Sequence, residues 1–210
     1  MDFSVRPGVL VPRPETEILV EQAIARIKAM TESEADSPRI LDMGTGCGVL
    51  AVSLAKELQN AEIWATDISA DALATARFNA EKHGMLKRIQ FLEGDLYEPI
   101  SDLKTTFDLI LSNPPYVASE EYNDLPPEVR NHEPRLALDG GEEGLYFIDK
   151  IISGAPDYLR STGWIMIEMA PNQTEKAVKL LTQMNCFGKI SRIKDYSHLY
   201  RVVMAKKLDM

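Results

Sequence analysis

The sequence has little cysteine and no long apolar run. Its 210 residues include two cysteines, Cys47 and Cys186, which form neither a disulfide framework nor a metal-ligand spacing. No stretch is apolar enough to span a bilayer, and residues 1–8 lack the apolar core of a secretory signal. No histidine has partners at a recognisable spacing, so no metal site is expected. These absences favour a cytoplasmic protein.

Positive charge is also in short supply. The chain has 23 lysines and arginines against 32 acidic residues, which gives a formal net charge of −9. Since no basic stretch compensates locally, the extensive phosphate contacts of a duplex-DNA-binding protein are disfavoured. The acidity is compatible with a basic protein partner, but it also simply favours solubility. We therefore expect no direct nucleic-acid binding and no membrane partner.

Hydrophobic periodicity predicts regular alternation of strands and helices. A first helix is predicted over 15–31, followed by a polar linker to residue 38. The predicted strands are 39–43, 62–67, 89–92, 107–112, 163–169, 190–195 and 200–205, and the predicted later helices are 49–58, 70–83, 144–159 and 173–185. We expect a single α/β domain over 1–210, with an N-terminal segment and helix at 1–38 and a Rossmann-like core at 39–210.

The last two predicted strands are joined by residues 196–199 only. This connection is too short for a parallel crossover, so the two strands should pair as an antiparallel hairpin. A mostly parallel seven-stranded sheet with a terminal antiparallel hairpin resembles the fold of the class I S-adenosylmethionine-dependent methyltransferases.

A glycine-rich turn follows the first predicted strand and opens the next helix. Glycines at such a turn let the backbone approach a ligand, and the free N–H groups of the helix favour an anionic group. A nucleotide-like cofactor is implied, although Val49 replaces the third glycine of the G-x-G-x-x-G dinucleotide fingerprint. The alternative is a turn with a purely structural role. The candidate cofactor-binding residues here are Asp42, Gly44, Thr45, Gly46, Cys47 and Gly48.

Two further candidate cofactor contacts follow the second and third predicted strands. Asp67, next to Ile68, can accept hydrogen bonds from both hydroxyls of a ribose, or it can cap the following helix. Asp95 can meet an adenine amino group, and Leu96 can cover the face of the ring. The carboxyl ends of neighbouring parallel strands form one crevice, so we expect these side chains to share a site.

Asn113, Pro114, Pro115 and Tyr116 follow the fourth predicted strand. They resemble the N/D-P-P-Y/F motif of methyltransferases that act on planar nitrogens. The lone pair of such a nitrogen is delocalised, and hydrogen bonds to the Asn113 side-chain oxygen and the Pro114 carbonyl can orient it. Tyr116 can stack on the planar group. The alternative is a turn that only ends a strand.

The resemblance extends over most of the chain. The segment 10–17, Leu-Val-Pro-Arg-Pro-Glu-Thr-Glu, is similar to the L-I-P-R-P-E-T-E segment of the HemK-like protein-glutamine methyltransferases, which modify class I peptide-chain release factors in translation termination. Residues 132–141 and 167–169 with Gln173 also match, although Ala170 replaces a usual glycine.

That resemblance implies S-adenosylmethionine as cofactor and the glutamine of a release-factor Gly-Gly-Gln loop as substrate. It implies that Asn113 contacts both cofactor and substrate, that Pro114, Pro115 and Tyr116 help hold the substrate, and that Arg13, Glu15 and Thr16 border it. The segment 117–141 is predicted to cover the substrate. The family ordinarily has a helical N-terminal docking domain, whereas about ten residues precede the 10–17 motif here, so the sequence is either a fragment or a short member.

Three rival functions stay open. An adenine- or cytosine-methylating nucleic-acid enzyme would use the same Asn-Pro-Pro-Tyr chemistry, but it ordinarily needs a target-recognition domain and is disfavoured by the acidity. A nicotinamide-dependent oxidoreductase would leave that motif without a purpose. A non-catalytic cofactor-binding interaction protein would not need an intact Asn113.

Overall fold

A computed structural model describes residues 1–31 and 36–209. Its strands are β1 Arg39–Met43, β2 Glu62–Asp67, β3 Ile89–Glu93, β4 Phe107–Ser112, β5 Leu159–Glu168, β6 Phe187–Lys194 and β7 Tyr200–Lys207. Its α-helices are α1 Thr16–Met30, α2 Val49–Glu57, α3 Ala70–Lys82, α4 Pro127–Arg130, α5 Tyr146–Tyr158 and α6 Thr174–Gln183. Residues 32–35 of the predicted linker lie outside the described residues.

The seven strands form one sheet in the order β3-β2-β1-β4-β5-β7-β6. The pairs from β3 to β5 are parallel, whereas β7 runs antiparallel to both β5 and β6. The predicted mostly parallel sheet with a terminal antiparallel hairpin is therefore confirmed. The strand order reverses between β1 and β4, and open α/β sheets bind ligands at the carboxyl ends of strands beside such a reversal.

The sheet separates two hydrophobic clusters. Leu109 and Leu111 of β4 belong to the cluster with α1, α2 and α3, whereas Ile110 belongs to the cluster with α5 and α6. All six residues of β4 are buried, as expected for a central parallel strand covered on both faces. The strand that precedes Asn113 is thus fixed by packing on both sides.

The predicted start of β5 was wrong. The pattern favoured a helix to residue 159 and a strand from 163, whereas the strand begins at Leu159. Leu159 pairs with Phe107, and the register then shifts before Leu109 pairs with Trp164. The three residues between Leu159 and Gly163 are polar and exposed, so the irregular first part of the strand lacks a hydrophobic signature.

Within the described ranges, none of the helices combines the length and the apolar character that crossing a membrane requires.

Candidate functional site

A cleft lies at the carboxyl ends of β1 to β4. Its volume, open mouth included, is about 880 Å³. The predicted site residues that line it are Gly44, Gly46, Asp67, Ile68, Asp95, Leu96, Asn113, Pro114 and Pro115. The fold thus brings the glycine-rich turn and the Asn113 motif to one site, although Gly46 and Asn113 lie 67 positions apart in the sequence.

Gly44 and Gly46 form the floor of the cleft beside β1. Their φ angles are +71° and +56°, a region that glycine enters without steric cost. A Cβ added to either would meet no described atom within 4 Å. These two glycines therefore present bare backbone to open space that a ligand can fill.

Gly48 has a different role, because it packs against a helix. Its φ is +86°, and a Cβ there would lie 3.0 Å from the Ala76 Cβ on α3. Gly48 does not line the cleft, and neither do Asp42, Thr45 and Cys47. These four predicted cofactor residues belong to the end of β1 and to the turn without lining the cleft.

Asp42, on β1, stabilises the glycine turn through hydrogen bonds. Its carboxylate accepts hydrogen bonds from the Thr45 hydroxyl at 2.6 Å and from the Ala51 N–H at 3.0 Å. Asp42 is fully buried, and burial raises the pKa of its carboxyl to about 7. Its contacts support the shape of the glycine turn and the start of α2.

Asp67 connects β2 to the glycine turn. One carboxylate oxygen accepts from the Gly46 N–H at 2.8 Å and the other from the Ser69 N–H at 2.9 Å. Burial raises the pKa of Asp67 above its ordinary value. The N-cap of α3 is Ser69, whose hydroxyl accepts from the Ala72 N–H. Asp67 therefore borders the cleft as an acceptor rather than as the helix cap.

The turn after β3 forms the next wall. The Gly94 N–H donates to the Asp67 carbonyl at 3.0 Å, which fixes this turn beside β2. Leu96 has a φ of +48°, an uncommon conformation for a non-glycine residue. Asp95 and Leu96 both reach the cleft.

Asn113, Pro114 and Pro115 border the cleft at the end of β4. Tyr116 instead packs, partly buried, beside the α5 and α6 cluster. Burial, with a smaller contribution from the nearby Glu168 carboxylate, raises the pKa of Tyr116 to about 12, so its phenol stays neutral. The structure therefore brings three of the four motif residues to the cleft surface and places the Tyr116 ring deeper.

A buried glutamine holds the backbone of this motif. The Gln173 Nε2 donates to the carbonyls of Tyr116 at 2.8 Å, Glu143 at 3.0 Å and Gly144 at 3.3 Å. A Cβ on Gly144 would lie 2.0 Å from the Tyr116 carbonyl oxygen, and one on Gly140 would lie 2.6 Å from the Pro115 carbonyl oxygen. Glycines at 140 and 144 thus permit close packing against the Pro115–Tyr116 backbone.

Sequence reasoning missed several cleft residues. They come from the N-terminal segment, from the 117–141 segment and from α5: Gly8, Val9, Leu10, Pro134, Leu136, Ala137, Phe147 and Ile151. The 10–17 and 132–141 motifs overlap two of these regions, and the length of the 117–141 segment had already predicted a cover over the substrate. The two regions are joined by an ion pair between Arg13 and Glu133 at 2.5 Å.

Thr16 lies directly behind Asn113. The Asn113 Nδ2 donates to the Thr16 hydroxyl oxygen at 3.1 Å, and Thr16 is 2% exposed. Glu15 precedes α1 as its N-cap residue without a side-chain capping bond. Of the three residues expected to border the substrate, Thr16 is the one in contact with Asn113.

Comparison with known proteins places this site in a family. Residues 20–127 match the profile of the methyltransferase small domain. The release factor glutamine methyltransferase of Geobacter sulfurreducens is 42% identical over 190 residues, 89% of this chain and 63% of the relative. The protein of the same name from Chlorobaculum tepidum is 42% identical over 95% of this chain and 67% of its own length. This chain thus spans a little under two thirds of the Geobacter protein.

Solved structures agree on the fold at low sequence identity. A methyltransferase from Pyrococcus furiosus has a TM-score of 0.69 at 19% identity and covers 99% of this chain and 89% of its own. The human Mettl16 catalytic domain, solved with an RNA hairpin, has a TM-score of 0.76 at 16% identity, over 99% of this chain and 76% of its own. The identity to the Geobacter and Chlorobaculum proteins shows that the chain belongs to the release factor glutamine methyltransferase family, and the solved structures show that it has the class I methyltransferase fold.

Proposed function

We propose that this protein transfers a methyl group from S-adenosylmethionine to the side-chain amide nitrogen of a glutamine in a class I release factor. The observation that carries the proposal is the position of Asn113 and Pro114, which face the same cleft as Asp67, Gly44 and Gly46. The names of the relatives supply the substrate, because both are release factor glutamine methyltransferases. The proposed partner is therefore a release factor, and its glutamine lies in the Gly-Gly-Gln loop.

The residues of the cleft fit this cofactor. Gly44 and Gly46 leave room where a side chain would intrude, and Asp67 offers a carboxylate at the end of β2 that can accept from ribose hydroxyls. Leu96, Phe147 and Ile151 supply apolar surface for a planar base. We assign Asp95 to the amino group of that base. When bound, S-adenosylmethionine supplies a methyl group on a positively charged sulfur.

The chain's own residues prepare the nucleophile. A glutamine amide nitrogen is a poor nucleophile because its lone pair is delocalised into the carbonyl. The Asn113 side-chain oxygen and the Pro114 backbone carbonyl can each accept one N–H of the substrate amide, which fixes the direction of the nitrogen lone pair. The two prolines restrict the backbone that carries these acceptors, and the Gln173 hydrogen bonds hold it from behind.

Two segments form a roof over the cleft that can cover a bound substrate. Val9 and Leu10 approach from the N-terminal segment, and Leu136 and Ala137 approach from the 117–141 segment. The Arg13–Glu133 ion pair ties the two together. We assign these segments to excluding water from the reacting amide, which strengthens its hydrogen bonds to Asn113 and Pro114.

Mass spectrometry of a release factor incubated with this protein and S-adenosylmethionine tests the proposal. We expect one added methyl group on the glutamine of the Gly-Gly-Gln loop. Asn113→Ala should remove most turnover, on the order of a hundredfold or more, and should affect cofactor affinity less. Asn172→Ala is the matched control, since Asn172 is exposed and outside the cleft.

Two outcomes would contradict the proposal. Normal turnover by Asn113→Ala would show that the amide oxygen has no part in the reaction. Methylation of adenine in a nucleic acid without methylation of the release factor would favour the nucleic-acid enzyme that shares the Asn-Pro-Pro-Tyr chemistry.

A further inference from the structure

A buried carboxylate lies beside Asn113 on the side away from the cleft. Glu168 ends β5, and the pairing of Ser112 with Ile167 makes Asn113 and Glu168 neighbours where the two parallel strands end. Glu168 is 0% exposed and Thr16, the first residue of α1, is 2% exposed. Neither lines the cleft, so neither is placed to touch a ligand there.

The donors and acceptors among the Asn113, Thr16 and Glu168 side chains can be assigned. The Asn113 Nδ2 donates to the Thr16 hydroxyl oxygen at 3.1 Å. The Thr16 hydroxyl and the Asn113 amide both face the Glu168 carboxylate and favour its charged form. Among the described residues, no donor meets either Glu168 oxygen at full hydrogen-bond geometry. The nearby Arg201 cation is engaged elsewhere, because its Nε donates to Asp195 at 3.1 Å.

An asparagine amide can take two orientations that exchange its oxygen and nitrogen. Thr16 alone does not choose between them, because a hydroxyl can either accept from the nitrogen or donate to the oxygen. Glu168 removes this ambiguity. In its charged form its carboxylate only accepts, so it attracts the hydroxyl hydrogen of Thr16 and the N–H of Asn113, and it repels an amide oxygen turned toward it.

We propose that Thr16 and Glu168 are positioning residues that hold the Asn113 amide with its nitrogen toward the protein interior and its oxygen toward the substrate. This inference rests on the proposed function, which needs that oxygen as an acceptor for the substrate N–H. In the opposite orientation the Asn113 NH₂ would face the substrate N–H, so two donors would meet and no hydrogen bond could form. Thr16 and Glu168 therefore set the fraction of molecules in which the Asn113 oxygen faces the substrate.

Paired Thr16 variants test the first half of the proposal. Thr16→Val keeps the shape and removes the hydroxyl, and we expect kcat for release-factor methylation to fall about tenfold to hundredfold. KM and the affinity for S-adenosylhomocysteine should change less than threefold. Thr16→Ser restores the hydroxyl and should recover most of the rate. Thr106→Val is the control at an exposed threonine.

A double-variant cycle tests whether Glu168 serves the same task. Glu168→Gln keeps the size of the side chain but can present either an acceptor or a donor, so kcat should fall several-fold. Because both residues fix one orientation, Thr16→Val combined with Glu168→Gln should be little worse than Thr16→Val alone. Fully additive losses would overturn the assignment of a shared role.

A measurement on the free protein separates this inference from the proposed function. In ¹⁵N-labelled protein, the Asn113 side-chain NH₂ should exchange slowly with water, and it is identified by its loss in Asn113→Ala. Thr16→Val should shift this signal and speed its exchange, whereas Thr16→Ser should not. An unaltered signal and full turnover in Thr16→Val would overturn the inference. A wild-type protein that never methylates a release factor would overturn the proposed function and leave this measurement valid.

Discussion

At the residue scale, two buried carboxylates beside the cleft are expected to cost stability. Burial raises the pKa of Asp42 and of Glu168 to about 7. A buried charge without a full set of partners costs stability. Asp42 supports the glycine turn and Glu168 stands behind Asn113, so both costs are incurred beside the cleft rather than elsewhere in the core.

Glu168→Gln should stabilise the protein in a pH-dependent way. The folded-state pKa of about 7 lies above the ordinary value of 4.5, so the folded protein binds the proton more tightly than the unfolded chain. Stability is therefore lost as pH rises from about 4.5 to 7, and the loss is complete above that window. The variant escapes this loss, with an advantage above pH 7 on the order of 3 kcal/mol.

Urea denaturation of both proteins at several pH values measures this difference. Arg201 opposes the rise in the Glu168 pKa and Glu15 adds to it, and both are present in wild type and variant alike. The advantage of the variant should be small near pH 4.5. A difference that stays constant across the whole range would contradict a titrating Glu168.

At the element scale, a buried asparagine side chain ties the N-terminal segment to the glycine turn. The Asn79 Oδ1 accepts from the Ser4 N–H at 2.9 Å, and its Nδ2 donates to the Ser4 carbonyl at 2.8 Å and to the Cys47 carbonyl at 2.9 Å. Asn79 is 0% exposed. One residue of α3 thus joins the glycine turn to the irregular segment that carries Val9 and Leu10 into the cleft.

Asn79→Ala should loosen this segment. The Ser4 and Cys47 backbone groups would lose their partner, which costs about 1–3 kcal/mol of stability. Hydrogen exchange of residues 4–10 should accelerate, and cofactor affinity should fall because Val9 and Leu10 border the site. Ser4→Ala is the matched control, since both Ser4 bonds to Asn79 use the backbone. Equal effects in the two variants would contradict the role of the tether.

The elements were predictable where the pattern is periodic and local. The first and fourth strands follow from apolar runs bounded by turns. The terminal hairpin follows from its short connection, although β6 begins at Phe187 and not at the predicted residue 190. The start of β5 was missed because Arg160 to Thr162 are polar and exposed while Leu159 already pairs with Phe107. That pairing depends on a partner strand about fifty residues away. The hydrophobic periodicity of a short stretch of sequence cannot reveal such a distant partner.

At the scale of the whole molecule, the site is assembled from distant parts of the chain. The sequence could predict that Gly46, Asp67 and Asn113 share a crevice, because parallel strands end at one edge of a sheet. It could not place Thr16 against Asn113, a contact across 97 positions. The length of the 117–141 segment already predicted a cover over the substrate, whereas the position of Val9 was hidden because it depends on how the irregular N-terminal segment folds over the sheet edge.

Ligand binding should stabilise the whole molecule. S-adenosylhomocysteine at about 100 times its dissociation constant should add about 2.7 kcal/mol, which corresponds to a rise in Tm of roughly 5–10 °C for a chain of this size. NADH at the same concentration should leave the Tm unchanged. Thermal unfolding followed by fluorescence measures both. A rise with NADH and none with S-adenosylhomocysteine would contradict the cofactor assignment.

The protein also carries, next to its own motif, the chemical group on which it is proposed to act. Gln173 has a side-chain amide like that of the substrate, and this amide touches the Tyr116 carbonyl. Its nitrogen is surrounded by three backbone carbonyls, and the residue is 4% exposed. An amide held in this way cannot turn toward the cleft. Gln173 and the substrate glutamine therefore need not differ chemically for the protein to modify only the substrate. They differ in the side of the Asn113–Tyr116 backbone on which each one lies.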